Sequence, residues 1–426
     1  MRTAAAIFDL DDTLLDTSVL RDARDRRDWR SVFGRLTAVR QFKSAHFGPT
    51  EVIELVQQAR TRGLKVGLLT HGPEKYAREL LRIYGLRVDL LVSGSDGYPA
   101  KPDPGGLCAV AAGLGVETKE SVYVGDSVGD FAAAAAAGMT SIGVAWSASP
   151  RAAWRHGWPD IAIDRPATLL DYLDGQTGLD PLGEAIANSE QPSIHWGSAA
   201  RLGAGVYALG RYFSTHDPRS ANHQLSRLVL KAKDDPTRDT EVAAIFEALA
   251  TRVPIGRRPN LIVSVPPAPT EARDRFAAAR AVLARRYDAR DGGEVLRMSH
   301  SVDDYKKVSR DARAALNVNR FIATPLSGEN ALLIDDVLTS GGQSGACREA
   351  LHSAGCGSVT IVTLSVTQDK LPDSCPSCGS NLVTRPRRLD GRPFIGCSNY
   401  PSCRYTRAAP RWRELQSTSA KSEDRW

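Results

Sequence analysis

Five short apolar runs in the first 174 residues (4–8, 65–70, 90–93, 121–124 and 140–144) are separated by amphipathic stretches of helical spacing. That alternation predicts a parallel sheet covered by helices. The run Ala132–Ala137 reads as helix, because alanine has the highest helix propensity. A second strand–helix rhythm follows, with strands expected near Leu261–Val265, Ala331–Ile334 and Ser358–Leu364. At 426 residues the chain exceeds what one core organises. The expected fold class is therefore α/β: two doubly wound parallel-sheet domains and a small cysteine-rich module. The expected boundaries are 1–174 for the first domain, 175–195 for a Gly/Pro-rich linker and 196–370 for the second. The module follows over 371–410, and the polar stretch 411–426 reads as a disordered tail.

Charge enters the argument through its location. From Leu371 onward ten Lys or Arg face five Asp or Glu, so this segment carries +5 of the formal +6. Such a segment suits an anionic partner or a solvated surface. No run of about 18 apolar residues is present, which excludes a helical membrane span. No apolar leader precedes the first strand, and the expectation is a cytoplasmic protein. Seven cysteines, an odd number, argue in that setting against a disulfide framework.

The stretch "AAAIFDLDDTLLD" gathers Asp9, Asp11 and Asp12 at a strand end. Three neighbouring carboxylates repel one another, and a bound cation relieves them. Three further motifs end expected strands or follow them: "GLLTHG" with Thr70, "YPAKPDP" with Lys101, and "VYVGDSVGD" with Asp126 and Asp130. In open α/β sheets ligands bind outside the carboxyl ends of the strands. An aspartate can attack phosphorus, and a second acid can protonate the leaving oxygen. Mg²⁺ favours hard oxygen ligands and offsets phosphate charge.

This order of motifs resembles the haloacid dehalogenase superfamily of phosphohydrolases, over about 170 residues. The resemblance implies Asp9 as nucleophile, Asp11 as acid/base, and Thr70 and Lys101 as phosphate holders. It implies Mg²⁺ held among Asp9, Asp11, Asp126 and Asp130. Two positions depart from the pattern: Asp12 stands where glycine is common, and His71 where asparagine often follows the threonine. The segment 17–48 is expected to form a minimal cap. Its Trp29, Val32, Phe33, Leu36 and Val39 fall at helical spacing, and Arg21, Arg24, Arg26, Arg27 and Arg30 either line an entrance or form a solvated face.

The second informative stretch is "ALLIDDVLTSGGQSGACREAL". An apolar strand leads into Asp335 and Asp336, then a small-residue loop, then a helix. Backbone N–H groups in such a loop cradle phosphate, and paired acids can bind ribose hydroxyls or a metal. The stretch resembles the loop of type I phosphoribosyltransferases that binds phosphoribosyl pyrophosphate (PRPP). It implies PRPP contacts from Asp335, Asp336, Thr339, Ser340, Gly341, Gly342 and Gln343, with Gln343 replacing a usual threonine. From about Trp196 to Gln368 the chain is similar to ComF-type competence proteins, with that family's Arg-Gly-Phe-Asn element degraded at Arg273–Phe276.

Cys375, Cys378, Cys397 and Cys403 have the spacing C-x₂-C-x₁₈-C-x₅-C, which closes a structural Zn²⁺ site. The stretch resembles the zinc ribbon of bacterial type I topoisomerases, which binds single-stranded DNA. Arg385, Arg387, Arg388, Arg392, Arg404 and Arg407 interleave with Phe394, Tyr400 and Tyr405. That pattern suits stacking on a single strand, or a protein-docking ribbon with core aromatics.

Together these features lead to the expectation of a Mg²⁺-dependent phosphatase acting on a nucleotide or nucleic-acid phosphate through an aspartyl-phosphate. A PRPP-binding domain and a nucleic-acid-binding ribbon complete it. The alternative is a ComF-like protein that binds or processes single-stranded DNA for DNA uptake or repair, with a non-catalytic phosphoribosyltransferase-like domain.

Overall fold

The computed structural model describes residues 3–147, 154, 157–175, 184, 200–203, 205–215, 217–252, 255, 257–267, 273–299, 320–339, 341–369, 375, 377–378, 380–386 and 393–408. The chain forms two compact units, one of residues 1–148 together with 371–426, the other of residues 149–370. None of the described helices is long and apolar enough to cross a membrane.

In the first unit β1 (Ala5–Phe8), β2 (Lys65–Leu69), β3 (Leu90–Val92), β4 (Ser121–Gly125) and β5 (Thr140–Val144) lie parallel in the order β3-β2-β1-β4-β5. Ala5 pairs with Lys65 on one side and Ser121 on the other. The order reverses at β1, so the carboxyl ends of β1, β2 and β4 open onto one crevice. The alanine run lies in the helix Val128–Ala137, which buries Ala133, Ala134 and Ala137 against Ile7, Val110 and Tyr123. Small side chains there let helix and sheet approach closely. Segment 17–48 contains only the short helices Arg21–Asp25 and Trp29–Gly34 and two 3₁₀ turns.

The cysteine-rich module belongs to the same unit. It is a three-stranded antiparallel sheet of Leu382–Pro386, Pro393–Cys397 and Thr406–Ala408.

The second unit has a central parallel sheet. Its order is Arg290–Asp291, Leu261–Ser264, Asn330–Leu338, Ser358–Thr367 and Val206–Ala208, with Ala200–Gly203 antiparallel at the edge. The strand expected to stop at Ile334 runs on through Leu338. Its neighbour is one residue longer, and Asp335 pairs with Thr363 and Leu338 with Val366. Asp335 and Asp336 therefore sit within the strand rather than beyond it. Within the expected linker, the described residue Glu184 is buried. It accepts hydrogen bonds from the Arg211 guanidinium, at 2.9 Å for Nη2 to Oε2. The expected tail, 411–426, lies outside the described residues.

Candidate functional site

β1 delivers Asp9 to the crevice, and the turn after β4 delivers Asp126 and Asp130. One carboxylate oxygen from each lies within 4.8 Å of the others. The turn has this shape because Ser127 caps the helix Val128–Ala137: its Oγ and the Asp130 carboxylate exchange the two bonds of a capping box. Gly125 is required here, since a Cβ would come within 2.6 Å of Asp130 Cβ. Lys101 reaches in from the loop after β3. Its Nζ donates to Asp9 Oδ1 at 2.6 Å, Asp130 Oδ1 at 2.5 Å and the Tyr123 hydroxyl at 3.0 Å.

Burial pushes the Asp9 carboxyl well up, Lys101 opposes that, and the neighbouring acids add to it. Burial also raises Asp130, but Lys101 and Ser127 outweigh it, leaving a net lowering. Lys101 is held protonated by Asp130 and Asp9 against the cost of its own burial. The Lys101 ammonium bridges Asp9 and Asp130, an Asp126 oxygen lies within 4.8 Å of theirs, and the carboxylate donors are all oxygen. Such a set fits a divalent hard cation such as Mg²⁺.

Asp11, expected as a further metal ligand, lies outside this group. Its Oδ1 accepts from the Tyr76 hydroxyl at 2.6 Å, its Oδ2 from Thr70 Oγ1 at 3.3 Å, and it pairs with Arg24. Three residues beyond the strand the chain has turned, and the helix Glu74–Tyr84 supplies Tyr76, segment 17–48 supplies Arg24 and the residue after β2 is Thr70. Tyr76 carried no sequence signal beyond its place on an apolar helix face. Among the cap arginines, Arg24 pairs with Asp11 and Arg21 with Asp12, whereas Arg26, Arg27 and Arg30 are exposed. Thr70 is buried at the end of β2, and its hydroxyl also accepts from Gly72 N at 3.1 Å.

In the second unit, a cavity of about 350 Å³ is lined by Lys233, Arg275, Arg320, Asp335, Asp336 and Gln343, among others. Alternation along the strand sends the two acids to different partners. Asp335 accepts from Ser344 Oγ at 3.2 Å and is buried, while Asp336 accepts from Arg275 Nη1 at 2.9 Å. Burial and then the charge of Asp336 push Asp335 up to about 8. Burial works in the same direction on Asp336, but Arg275 and Lys233 hold it low. Gly341 precedes the helix Gly342–Ser353 with φ of +81°, a conformation that favours glycine. Thr339 and Gly341 line the same cavity, Gly342 begins the helix, and Ser340 lies outside the described residues. Lys233 and Arg320 were not singled out from the sequence, because nothing local marks them as neighbours of the strand.

In the cysteine-rich module, sulfurs of Cys375, Cys378, Cys397 and Cys403 lie within 4.8 Å of one another, with Cys375 to Cys403 at 3.7 Å and Cys378 to Cys397 at 3.4 Å. A tetrahedral Zn²⁺ with bonds of about 2.3 Å needs sulfur separations near these values. A cleft of about 550 Å³ beside it is lined by Arg385, Phe394, Tyr400, Arg404 and Tyr405. Arg385 Nη2 also donates to the Cys397 carbonyl at 3.3 Å. Arg387, Arg388 and Arg392 lie outside the described residues.

Comparison with known proteins agrees with the two ends of the chain. Residues 32–138 match the family model described as haloacid dehalogenase-like hydrolase, and residues 373–411 match that described as topoisomerase DNA binding C4 zinc finger. The chain thus carries a haloacid dehalogenase-like hydrolase domain and a topoisomerase-type C4 zinc ribbon. Phosphoglycolate phosphatase of Pectobacterium atrosepticum is 32% identical over 146 residues, which are 34% of this chain and 58% of that protein. The Rhodospirillum rubrum phosphoglycolate phosphatase is 34% identical over 161 residues, covering 35% of this chain and 66% of its own length. The chain therefore spans less than two thirds of the length of these relatives. Among solved structures, a hydrolase from Pseudomonas syringae aligns with 41% of this chain and 99% of its own, at 20% identity and a TM-score of 0.35. A β-phosphoglucomutase from Clostridium difficile aligns with 41% of this chain and 96% of its own, at 18% identity and a TM-score of 0.31.

Proposed function

We propose that the first unit is a Mg²⁺-dependent phosphomonoesterase acting on a nucleotide or nucleic-acid phosphate. The observation that carries this reading is the meeting of Asp9, Asp126 and Asp130 in one cluster, with the Lys101 ammonium bridging Asp9 and Asp130. Asp9 attacks phosphorus, the ester P–O bond breaks, and the leaving oxygen takes a proton from Asp11. Water, deprotonated by Asp11, then attacks the aspartyl-phosphate, releasing inorganic phosphate and restoring Asp9. Lys101 and Thr70 hold the phosphoryl oxygens. Mg²⁺, bound among Asp9, Asp126 and Asp130, would neutralise charge on the phosphoryl group. Acid/base duty requires the Asp11 carboxylate to leave Tyr76 and Arg24 for the reacting oxygen, and those two residues set how readily it does so. The matched phosphoglycolate phosphatases support phosphomonoester chemistry of this kind.

In the second unit the paired acids, Lys233 and Arg275 around one cavity, with the Gly341 loop beside them, support a PRPP-binding, phosphoribosyltransferase-like role. The ribbon, with structural Zn²⁺, serves as a nucleic-acid-binding module.

The test is a phosphatase screen over nucleotides, sugar phosphates and phosphorylated oligonucleotides. Mg²⁺-dependent turnover that falls at least a thousandfold in Asp9→Asn is expected. Turnover that survives that substitution, or none with any substrate, would overturn the phosphatase reading.

A further inference from the structure

Asp103 lies two residues beyond Lys101, on the loop that carries the ammonium to Asp9, and is only 2% exposed. Its Oδ1 accepts from Gly105 N at 2.8 Å, at the start of the helix Gly105–Leu114. Its Oδ2 accepts from Asn381 N at 2.8 Å and Ser398 Oγ at 2.5 Å. A buried carboxylate is stable only when its lone pairs are taken up. Two of these three donors come from the ribbon, and Ser398 directly follows the cysteine Cys397. The ribbon is therefore seated on the Lys101 loop through an Asp103 side chain that the phosphatase chemistry does not itself use.

The ribbon's cleft lies next to that seat in the chain. Tyr400, two residues from Ser398, is 63% exposed, and Arg404, which lines the same cleft, is exposed as well. An aromatic ring left this open is unlike a packed core residue. Flanked by guanidinium groups, it suits a base stacked on its face and a phosphate backbone alongside. Two residues span at most about 7 Å on either side of the Asp103–Ser398 contact. A strand of a few nucleotides can therefore engage both places.

We propose that the ribbon is the substrate-presenting arm of the phosphatase. It grips a single-stranded nucleic acid in the Tyr400–Arg404 cleft, and its Asp103 seat directs the strand's terminal phosphate to Asp9. The strand leaves with a terminal hydroxyl, and inorganic phosphate is released as above. This inference rests on the phosphatase reading and narrows its substrate to single-strand ends. Asp103 is a positioning residue.

The test uses the full chain with Zn²⁺ and Mg²⁺. Hydrolysis of 3′- and 5′-phosphorylated DNA and RNA 12-mers is compared with that of an aryl phosphate and a phosphoserine peptide, and fluorescence anisotropy reads oligonucleotide binding. At least a hundredfold higher kcat/KM is expected for one class of oligonucleotide end than for the aryl phosphate. Tyr400→Ala with Arg404→Ala should weaken oligonucleotide binding at least tenfold and lower the oligonucleotide-to-aryl ratio by the same factor. Asp103→Asn keeps an acceptor for Gly105 but turns an amide NH₂ toward the Asn381 N–H. It should lower oligonucleotide kcat/KM at least tenfold while the anisotropy Kd stays within twofold.

Equal kcat/KM for oligonucleotide and aryl phosphate would overturn the inference and leave the phosphatase reading standing. So would preference for the peptide, or oligonucleotide turnover indifferent to Tyr400→Ala with Arg404→Ala. Oligonucleotide binding without hydrolysis of any phosphomonoester would instead remove the phosphatase reading, and the inference with it.

Discussion

His71 stands where the family resemblance places asparagine, and its ring explains how the substitution works. The Lys101 backbone N–H donates to His71 Nε2 at 2.8 Å, so the ring proton sits on Nδ1 and the imidazole is neutral. Burial, and then the Lys101 charge, lower its pKa from the ordinary 6.5. The unfolded chain takes up a proton at higher pH than the folded one. The stabilisation from burying this imidazole neutral is therefore full above about 6.5 and is lost as pH falls through the folded value. Activity should decline on the acid side as the Lys101 loop loosens. His71→Asn keeps an acceptor without a titration, and its kcat/KM profile should lose that acid limb. Asp12, the other departure, has φ of +58°, in the left-handed region that favours glycine and that aspartate tolerates. Its carboxylate accepts from Thr17 N at 3.2 Å and Arg21 Nη2 at 2.9 Å, contacts glycine could not make.

The strand Asn330–Leu338 and the helix after it were both legible from an apolar run, two acids and a small-residue loop. The strand's length was not, because pairing with Ser358–Thr367 carries it four residues past the apolar run. That extension is what buries Asp335. A carboxyl pushed up to about 8 is a burden on the folded state at every pH above its ordinary value near 3.8, growing until about 8. Asp335→Asn should therefore raise the melting temperature of the second unit by a few degrees at pH 7.5, at about 2–4 °C per kcal/mol. Under the proposed PRPP-binding role, PRPP with Mg²⁺ should raise the wild type's melting temperature, and the same substitution should abolish that shift. A variant more stable yet unable to respond to PRPP is the signature of a carboxylate kept for binding. Differential scanning fluorimetry reads both effects, and a destabilised variant that still responds would contradict the assignment.

Across the whole chain, the ribbon's place in the first unit links a zinc site near the C-terminus to a loop near residue 101. Removing Zn²⁺ should unfold the ribbon, since so small a module folds with its metal. Asp103 then loses the donors from Asn381 and Ser398, a loss of roughly 1–3 kcal/mol if the carboxylate stays buried. Chelation of Zn²⁺, or Cys375→Ser, should lower the first unit's melting temperature, and readdition of Zn²⁺ should restore it only in the wild type. Much of this protein could be read along the chain: strand–helix rhythm, the alanine-run helix, acids clustered at strand ends, and four cysteines at metal spacing. Each is a local pattern, set by periodicity, propensity or the reach of a short loop. The meeting of Asp9 with Asp126 and Asp130, the turning of Asp11 toward Tyr76 and Arg24, the gathering of Lys233 and Arg275 at Asp336, and the seat of the ribbon on Asp103 came with the folded chain. These contacts join residues tens to hundreds of positions apart, and which of them form depends on how sheet and helices pack, a property no local window contains.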